Sequence, residues 1–227
     1  MNNDSTTASN ASGFIFDMDG CLLNSIGAWH AAENKILAFA GITLSKDERD
    51  ELNALTLDEA AEWFHSRFGI LGSAKEVEEE IVAHLLAFYR TEARVNPGAL
   101  ELVQALYEVG APMCVLSSSP QSFLQAGLGS TGLLEFFDAD RIISAEDMGL
   151  AKRNPSTFDF VCGKLGTKPA NTWLFDDSWY ALATAQGCGL HTVGVFSSDG
   201  CGTHEELGRY SEKVIDTFEE IYFDDLW

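Results

Sequence analysis

Hydrophobic residues follow two different patterns along this chain. Between residues 25 and 94 they recur at three- and four-residue steps, which predicts successive helices and no clear strand. We expect helices over residues 28–40, 57–68 and 74–91. Thr56 followed by Glu59 has the spacing of a capping box at the start of the second helix.

The rest of the chain alternates short apolar runs with helical patterns. The expected strands are 13–16, 112–116, 141–144, 172–175 and 191–196, and the expected helices are 99–109, 122–127, 155–165 and 180–188. This alternation is typical of an α/β fold with a doubly wound parallel sheet. We therefore expect a core domain formed by residues 13–24 and 95–220, with an all-helical domain, residues 25–94, inserted into it. Residues 1–12 and 221–227 would be tails.

Polar side chains stand where three of the predicted strands end. Asp17 and Asp19 follow the first strand, three serines (117–119) follow the second, and Asp176 and Asp177 follow the fourth. The strands of a parallel sheet point the same way, so these groups should meet at one edge of the sheet. Lys152 lies between the last two sets. Four clustered carboxylates repel one another and call for a hard divalent cation with oxygen ligands, such as magnesium, Mg²⁺.

Composition narrows the classes of partner and compartment. The formal net charge of −21 argues against nucleic acid and anionic membranes as partners. The five cysteines have no Cys-x-x-Cys spacing, which fits a reducing compartment better than a disulfide framework. Residues 1–12 lack the basic and apolar parts of a signal peptide, and no apolar run reaches the length of a membrane span. We expect a cytoplasmic protein.

Four motifs make the chain resemble the haloacid dehalogenase superfamily. They are Phe14 to Gly20 (apolar run, then Asp-x-Asp-Gly), Val115-Leu116-Ser117, the segment Ala151 to Phe158 around Lys152, and Trp173 to Ser178 (apolar run, then Asp-Asp-Ser). The resemblance extends from Gly13 to about Phe218 and is to the phosphatase and β-phosphoglucomutase-like branch with a small helical cap. It implies a Rossmann-like core, with residues 25–94 as the cap.

The resemblance also implies roles for individual residues. Asp17 would be the nucleophile that forms an aspartyl-phosphate. Asp19 would be the general acid and then the general base, and its presence favours phosphoryl transfer from oxygen over dehalogenation. Ser117 would hydrogen-bond the phosphoryl group, and Lys152 would neutralise it and hold Asp17 in place.

The implied magnesium ligands are carboxylates and one backbone carbonyl. They are a carboxylate oxygen of Asp17, the backbone carbonyl of Asp19, and the acids Asp176 and Asp177. Further candidates for phosphate or substrate contact are Met18, Thr56, Asp58, Ser118 and Arg153. Two alternatives stay open. Any of the three serines could bind phosphate, and Arg153 could contact phosphate instead of Lys152, because it replaces the proline that usually follows the motif lysine.

The leading functional hypothesis is a Mg²⁺-dependent phosphatase that hydrolyses a small phosphorylated metabolite through an aspartyl-phosphate. One alternative is a sugar phosphomutase, and a further one is a catalytically silent protein that binds a phospho-ligand. A phospho-accepting signalling domain fits poorly, because such domains are about half this length and have no helical insert.

The insert contains few cationic side chains, among them Lys35, Lys46, Arg49, Arg67 and Lys75. A neutral or cationic leaving group is therefore expected. The sequence indicates neither a monomer nor a dimer.

Overall fold

A computed structural model describes residues 12–52, 55–200, 202–222 and 226. Of the two predicted tails, residues 1–11, 223–225 and 227 lie outside the described residues, as does Cys201. No helix in the described part of the chain is long and apolar enough to cross a membrane. We refer to residues 25–94 as the helical insert; the division into two domains stays a prediction.

The centre of the described structure is a parallel sheet of six strands in the order β3-β2-β1-β4-β5-β6. The strands are β1 (Gly13–Phe16), β2 (Met113–Ser117), β3 (Ile142–Ser144), β4 (Thr172–Asp176), β5 (His191–Val195) and β6 (Lys213–Ile215). Strand order runs outward in both directions from β1, so the reversal of direction falls between β1 and β4. Open α/β sheets bind ligands at this reversal point, beyond the carboxyl ends of the strands. The predicted doubly wound, Rossmann-like fold is confirmed.

Four helices follow β1 in the chain and form the helical insert. They are α1 (Ile26–Ala38), α2 (Lys46–Leu52), α3 (Leu57–Phe68) and α4 (Ala74–Thr91). The core helices are α5 (Ala99–Glu108), α6 (Gln121–Thr131), α7 (Pro155–Leu165), α8 (Trp179–Gly187) and α9 (His204–Gly208). Short 3-10 helices cover Leu133–Phe136, Ala139–Arg141, Pro169–Asn171 and Phe218–Glu220.

Two apolar clusters cover the two faces of the sheet. In β1 the side chains alternate, so that Phe14 and Phe16 join one cluster while Ile15 joins the other. The first cluster continues from the sheet into the helical insert, where it includes Val77 and Leu85 of α4. α4 packs against α1 and α3 within the insert and against α6 of the core. The insert is thereby held over the sheet face that carries Phe16.

Candidate active site

Three carboxylates meet at the carboxyl ends of β1 and β4. Asp17 directly follows β1, and its backbone N–H donates to the carbonyl of Phe175 at 2.9 Å, which aligns the two strand ends. Asp176 is the last residue of β4, and Asp177 follows it. Oxygens of Asp17, Asp176 and Asp177 lie within 4.8 Å of one another, and all three residues are buried. The predicted meeting of these acids at one sheet edge is confirmed.

The turn after β1 depends on a glycine. Gly20 has φ +76°, a backbone conformation that other residues rarely adopt. A Cβ atom built on Gly20 would stand 2.4 Å from Asp177 Oδ2. The turn is closed by hydrogen bonds from the Gly20 N–H to the Leu23 carbonyl at 2.9 Å and from the Leu23 N–H to the Met18 carbonyl at 2.8 Å. Gly20 thus permits both the turn and the close approach of Asp177.

Lys152 lies between two of these acids. Its Nζ donates to Asp17 Oδ1 at 2.5 Å and to Asp176 Oδ2 at 2.7 Å, and its side chain is only 3% exposed. Lys152 precedes α7, which begins at Pro155 and is capped by the side chain of Asn154. Burial alone would lower the pKa of Lys152, but Asp17 and Asp176 raise it well above the ordinary value. Lys152 is therefore a firmly protonated cation.

The single lysine does not balance the charge of the three acids. Burial, opposed by Lys152 and reinforced by the other acids, raises the pKa of Asp17 well above its ordinary value. Burial and then the charge of Asp176 raise the pKa of Asp177 to about 7. Asp177 Oδ2 is a buried acceptor with no hydrogen-bond partner. An all-oxygen set with an orphaned acceptor and surplus negative charge suits a hard divalent cation such as Mg²⁺.

Asp19 is surrounded by hydroxyl groups. Its Oδ1 accepts from Ser25 Oγ at 2.6 Å and from the hydroxyl of Tyr89, and its Oδ2 accepts from Ser119 Oγ at 2.6 Å. The Tyr89 oxygen in turn accepts from the indole Nε1 of Trp29 at 3.0 Å. Tyr89 belongs to α4 and Trp29 to α1, so the helical insert supplies part of this network.

The three serines after β2 take up different positions. Ser117 is buried, and its Oγ accepts from the backbone N–H of Ser119 at 3.1 Å. Ser118 is exposed, and Ser119 is buried with its hydroxyl on Asp19. All three line the same cavity. A role for Ser117 or Ser118 in phosphate binding stays a prediction.

A cavity of about 270 Å³ opens over Asp17 and Asp19. Thr56 of the insert lines it, and its side chain also accepts from the Glu59 N–H at the start of α3. Arg153 lines it as well, with the guanidinium 4.3 Å from the centre of the Tyr180 ring. The Arg153 guanidinium thus stacks on Tyr180, whereas the Lys152 ammonium contacts the acids.

Two candidates from the sequence lie elsewhere. Met18 is fully buried in the apolar cluster that covers the Phe16 face of the sheet, and it is not among the lining residues. Asp58 is exposed and also does not line the cavity. Its negative charge nevertheless acts on a residue that does, because burial and then Asp58 raise the pKa of Glu146 to about 7.

Comparison with known proteins identifies the family of this chain. Residues 11–189 match the haloacid dehalogenase-like hydrolases. The chain belongs to this family. The resemblance noted in the four motifs is thereby confirmed, and so is the expectation that the protein is an enzyme of the hydrolase class.

Relatives of this haloacid dehalogenase-like hydrolase include phosphatases. Hexitol phosphatase B of Escherichia coli K12 is 28% identical over 181 residues, covering 79% of this chain and 81% of the relative. Phosphoglycolate phosphatase of Pectobacterium atrosepticum is 24% identical and covers 92% and 90%. A solved family IA hydrolase from Entamoeba histolytica superimposes with a TM-score of 0.81 at 24% identity, covering 95% and 97%. The prediction of a phosphoric monoester hydrolase agrees with these relatives.

The site of this haloacid dehalogenase-like hydrolase also contains three residues that the sequence does not mark. Ser25 and Tyr89 were not candidates, although both hydrogen-bond Asp19. Glu33 is a buried acid that lines the cavity, and it too was missed. Tyr89 occurs at a regular apolar position of α4, so nothing in the local pattern marks its hydroxyl as part of a site.

Proposed function

We propose that this protein is a Mg²⁺-dependent phosphatase that hydrolyses a small phosphomonoester through an aspartyl-phosphate on Asp17. The observation that carries the proposal is the contact of the Lys152 ammonium with the buried Asp17 carboxylate at one end of a cavity that Asp19 also lines. The phosphatases among the relatives, which are named for hexitol and phosphoglycolate substrates, support the same class of reaction.

The proposed reaction has two steps. An oxygen of Asp17 attacks phosphorus, and the bond from phosphorus to the ester oxygen breaks; that oxygen keeps the electron pair, takes a proton from Asp19 and leaves as the alcohol. Water then attacks the phosphorus of the aspartyl-phosphate and gives a proton to Asp19, while the bond from phosphorus to the Asp17 oxygen breaks and that oxygen keeps the electron pair. Inorganic phosphate departs, and the Asp17 carboxylate is restored. Catalysis would consist mainly of positioning and charge stabilisation.

The charged groups around Asp17 support its role as the nucleophile. Lys152 opposes the effect of burial on Asp17 and so favours the carboxylate, which is the form that can attack. A Mg²⁺ ion held by Asp17, Asp176 and Asp177 would supply further positive charge to bring an anionic phosphoryl group and a carboxylate together. Of the three serines after β2, Ser117 and Ser118 are left to bind phosphate oxygens, because Ser119 is engaged with Asp19.

The test is phosphate release from 4-nitrophenyl phosphate in the presence of Mg²⁺. Asp17→Asn should lower kcat by more than about 10³-fold, because the amide cannot act as the nucleophile. Asp216→Asn, an exchange of the same chemistry at an exposed acid outside the cavity, should retain full activity. Chelation with EDTA should abolish activity, and added Mg²⁺ should restore it. An Asp17→Asn variant as active as the wild type would overturn the proposal.

A sugar phosphomutase would use the same first step, so a second assay separates the two reactions. Hexose monophosphates are incubated with the enzyme and Mg²⁺, and both phosphate release and the position of the phosphate on the sugar are measured. We expect stoichiometric release of phosphate. Isomerisation without release would favour the mutase.

Acidic and apolar residues on the substrate side of the cavity support a neutral or cationic leaving group. Glu33, Glu146 and the exposed Asp199 line it together with Trp29 and Leu57. Arg49 of the insert does not line it; its guanidinium donates to the Glu33 carboxylate and, at 2.8 Å, to the side-chain oxygen of Asn34. These three acids outnumber Arg153, the cation that lines the cavity beside the catalytic Lys152, so a carboxylate-bearing leaving group would meet more like charge than opposite charge.

A substrate pair that differs in charge tests this selectivity. Kinetics are compared for a hexitol monophosphate, whose leaving group is a neutral polyol, and for phosphoglycolate, whose leaving group carries a carboxylate. We expect the hexitol phosphate to have the higher kcat/KM. Glu33→Gln should narrow the difference in kcat/KM between the two substrates by raising the value for phosphoglycolate. A preference of the wild type for phosphoglycolate would contradict the charge argument while leaving the phosphatase proposal intact.

We also propose a cytoplasmic location. Cys21, Cys114, Cys162 and Cys188 are all free thiols, and the first three are buried. Free thiols are typical of proteins that work in a reducing compartment.

A further inference from the structure

The carboxylate of Asp19 accepts hydrogen bonds from three hydroxyl groups that come from different parts of the fold. Ser25 precedes α1, Ser119 follows β2, and Tyr89 is separated from Asp19 by 70 positions in the chain. Tyr89 is fully buried and lies two residues before the end of Ala74–Thr91, the helix α4. The insert therefore reaches the residue that we propose as the proton shuttle.

The indole of Trp29 determines which way the Tyr89 hydroxyl points. An indole N–H can only donate a hydrogen bond, so the Tyr89 oxygen must accept from Trp29 Nε1 at 3.0 Å. The single hydrogen of the Tyr89 hydroxyl is then left to donate to Asp19 Oδ1. Trp29 and Tyr89 thus form a two-bond chain that ends on the Asp19 carboxylate.

Packing fixes the Tyr89 ring in this position. Its centroid lies 5.3 Å from that of Phe123, which also contacts the Trp29 ring at 5.9 Å between centroids. Gly127 provides the space on the α6 side, since a Cβ atom there would stand 3.0 Å from Tyr89 Cδ1. The Tyr89 carbonyl also accepts from Ser130 Oγ at 2.5 Å. Ring and backbone are both held by the core.

The two oxygens of Asp19 are not equivalent. Oδ1 accepts from two donors, Ser25 and Tyr89, whereas Oδ2 accepts from Ser119 alone. A carboxylate oxygen has two lone pairs, so Oδ1 is saturated and Oδ2 keeps one free. Oδ2 is therefore the oxygen that can carry a proton to and from the substrate.

We propose that Tyr89, aligned by Trp29, is a positioning residue that presents Oδ2 of Asp19 to the leaving-group oxygen. The proposal rests on the function proposed above. Trp29 also lines the cavity. Its side chain would therefore contact the leaving group and, through Tyr89, orient Asp19, the acid that protonates that group. The helical insert would then act on proton transfer as well as on substrate selection.

Leaving-group dependence tests the proposal. An alkyl ester needs a proton on its departing oxygen, whereas 4-nitrophenolate leaves readily without one. The value of kcat/KM reports the steps up to the aspartyl-phosphate, where Asp19 acts as acid. The alkyl ester is the hexitol monophosphate. Tyr89→Phe should lower kcat/KM for this substrate by about 10-fold or more and for 4-nitrophenyl phosphate by less than about threefold.

A matched variant controls for the loss of a tyrosine hydroxyl. Tyr107→Phe makes the same exchange at a tyrosine that is 54% exposed and does not line the cavity, and it should change neither rate. An equal fall for both substrates in Tyr89→Phe, or no fall for either, would overturn the proposal. A wild type inactive on 4-nitrophenyl phosphate would instead refute the phosphatase function, so the two failures are distinguishable.

Trp29→Phe provides a second variant should Tyr89→Phe fail to fold. It keeps the Tyr89 hydroxyl but removes the N–H that directs it, and thermal unfolding checks that it folds. Its alkyl rate should fall relative to its aryl rate, in the same sense as in Tyr89→Phe but by less. Because Trp29 lines the cavity, the ratio of the two substrates is compared rather than either rate alone. An unchanged ratio would count against the alignment by Trp29.

Discussion

Lys152 and its two carboxylate partners form a buried cluster of charges. Lys152 contacts Asp17 and Asp176 where all three side chains are nearly inaccessible to water. A buried ion pair is a weak source of net stability, but removing one partner leaves an uncompensated charge and costs about 3–5 kcal/mol. The lysine is thus expected to matter for folding as well as for catalysis.

We predict that Lys152→Met lowers the free energy of unfolding by about 3–5 kcal/mol at neutral pH, measured by urea denaturation in EDTA. The loss should shrink as pH falls, because burial raises the pKa of Asp17 and protonation of this carboxylate removes the uncompensated charge. Arg153→Met is the control. Arg153 is exposed and makes no contact with the acids, so its loss should cost less than about 1 kcal/mol. Similar losses for the two variants would contradict the assignment.

Gly20 is a second residue on which the site depends, and Gly41 provides its control. Both have positive φ, +76° and +64°, but a Cβ atom would strike Asp177 only at Gly20; at Gly41 nothing lies within 4 Å. Both alanine variants should share the cost of the backbone strain. Gly20→Ala alone should also weaken Mg²⁺ binding, measured as the Mg²⁺ concentration needed for half-maximal activity. Equal Mg²⁺ requirements would show that Asp177 tolerates the methyl group.

At the scale of elements, α3 begins with a capping box. The Thr56 side chain accepts from the Glu59 N–H, while the Glu59 carboxylate accepts from the Thr56 N–H. α4 begins in a related way at Ser73, whose side chain accepts from the Glu76 N–H. Only Thr56 also lines the cavity. Ser73 therefore serves as a cap alone, whereas Thr56 is both a cap and a residue placed to contact the substrate.

Thr56→Ala and Ser73→Ala should each lower the free energy of unfolding by about 1 kcal/mol, because each leaves a helix N–H without its partner. Only Thr56→Ala should raise KM for the phosphorylated substrate, since Ser73 lies outside the cavity. Thermal unfolding and steady-state kinetics measure the two effects. An unchanged KM in Thr56→Ala would limit Thr56 to its cap.

Element boundaries could be predicted where caps and periodicity agree. The predicted 57–68, 74–91 and 155–165 coincide with the observed α3, α4 and α7, each of which has a side-chain cap at its start. By contrast α2, α9 and β6 were missed. α2 has the sequence KDERDEL, in which charged residues hide any apolar period, and β6 has only three residues. β6 forms as a strand because it pairs with β5, and α9 packs against both of these strands.

At the scale of the whole molecule, insert and sheet share one apolar cluster. Leu85 of α4 and Phe16 of β1 are both fully buried in it. Elements that share a core tend to unfold together, whereas separate cores permit independent opening. The helical insert is therefore expected to unfold with the sheet.

We predict a single unfolding transition, measured by native-state amide hydrogen exchange on peptides from α4 and from β1. Leu85→Ala should lower the free energy of unfolding by about 2–5 kcal/mol and reduce protection in both peptides. Val109→Ala, at a side chain that is 56% exposed, is the control and should leave both unchanged. Loss of protection in α4 alone would show that the insert opens by itself.

From the amino-acid sequence one could predict five of the six described strands, the family, and the convergence of three acids at one sheet edge. Asp17, Asp176 and Asp177 each stand at or just after the end of a buried strand, and parallel strands bring their ends to one edge. The position of Lys152 before a proline-initiated helix suggested that it belongs there too. These inferences succeed because each depends on a local pattern and on one general rule of sheet topology.

The contribution of the helical insert to the site depends on tertiary packing. It brings Tyr89 to Asp19 across 70 positions and turns Glu33 into the cavity, while Asp58 stays exposed outside it. Periodicity tells which face of a helix is apolar, but not the rotation and crossing angle at which that helix packs on its neighbours. Those angles determine which side chain of an insert helix reaches the two aspartates after β1.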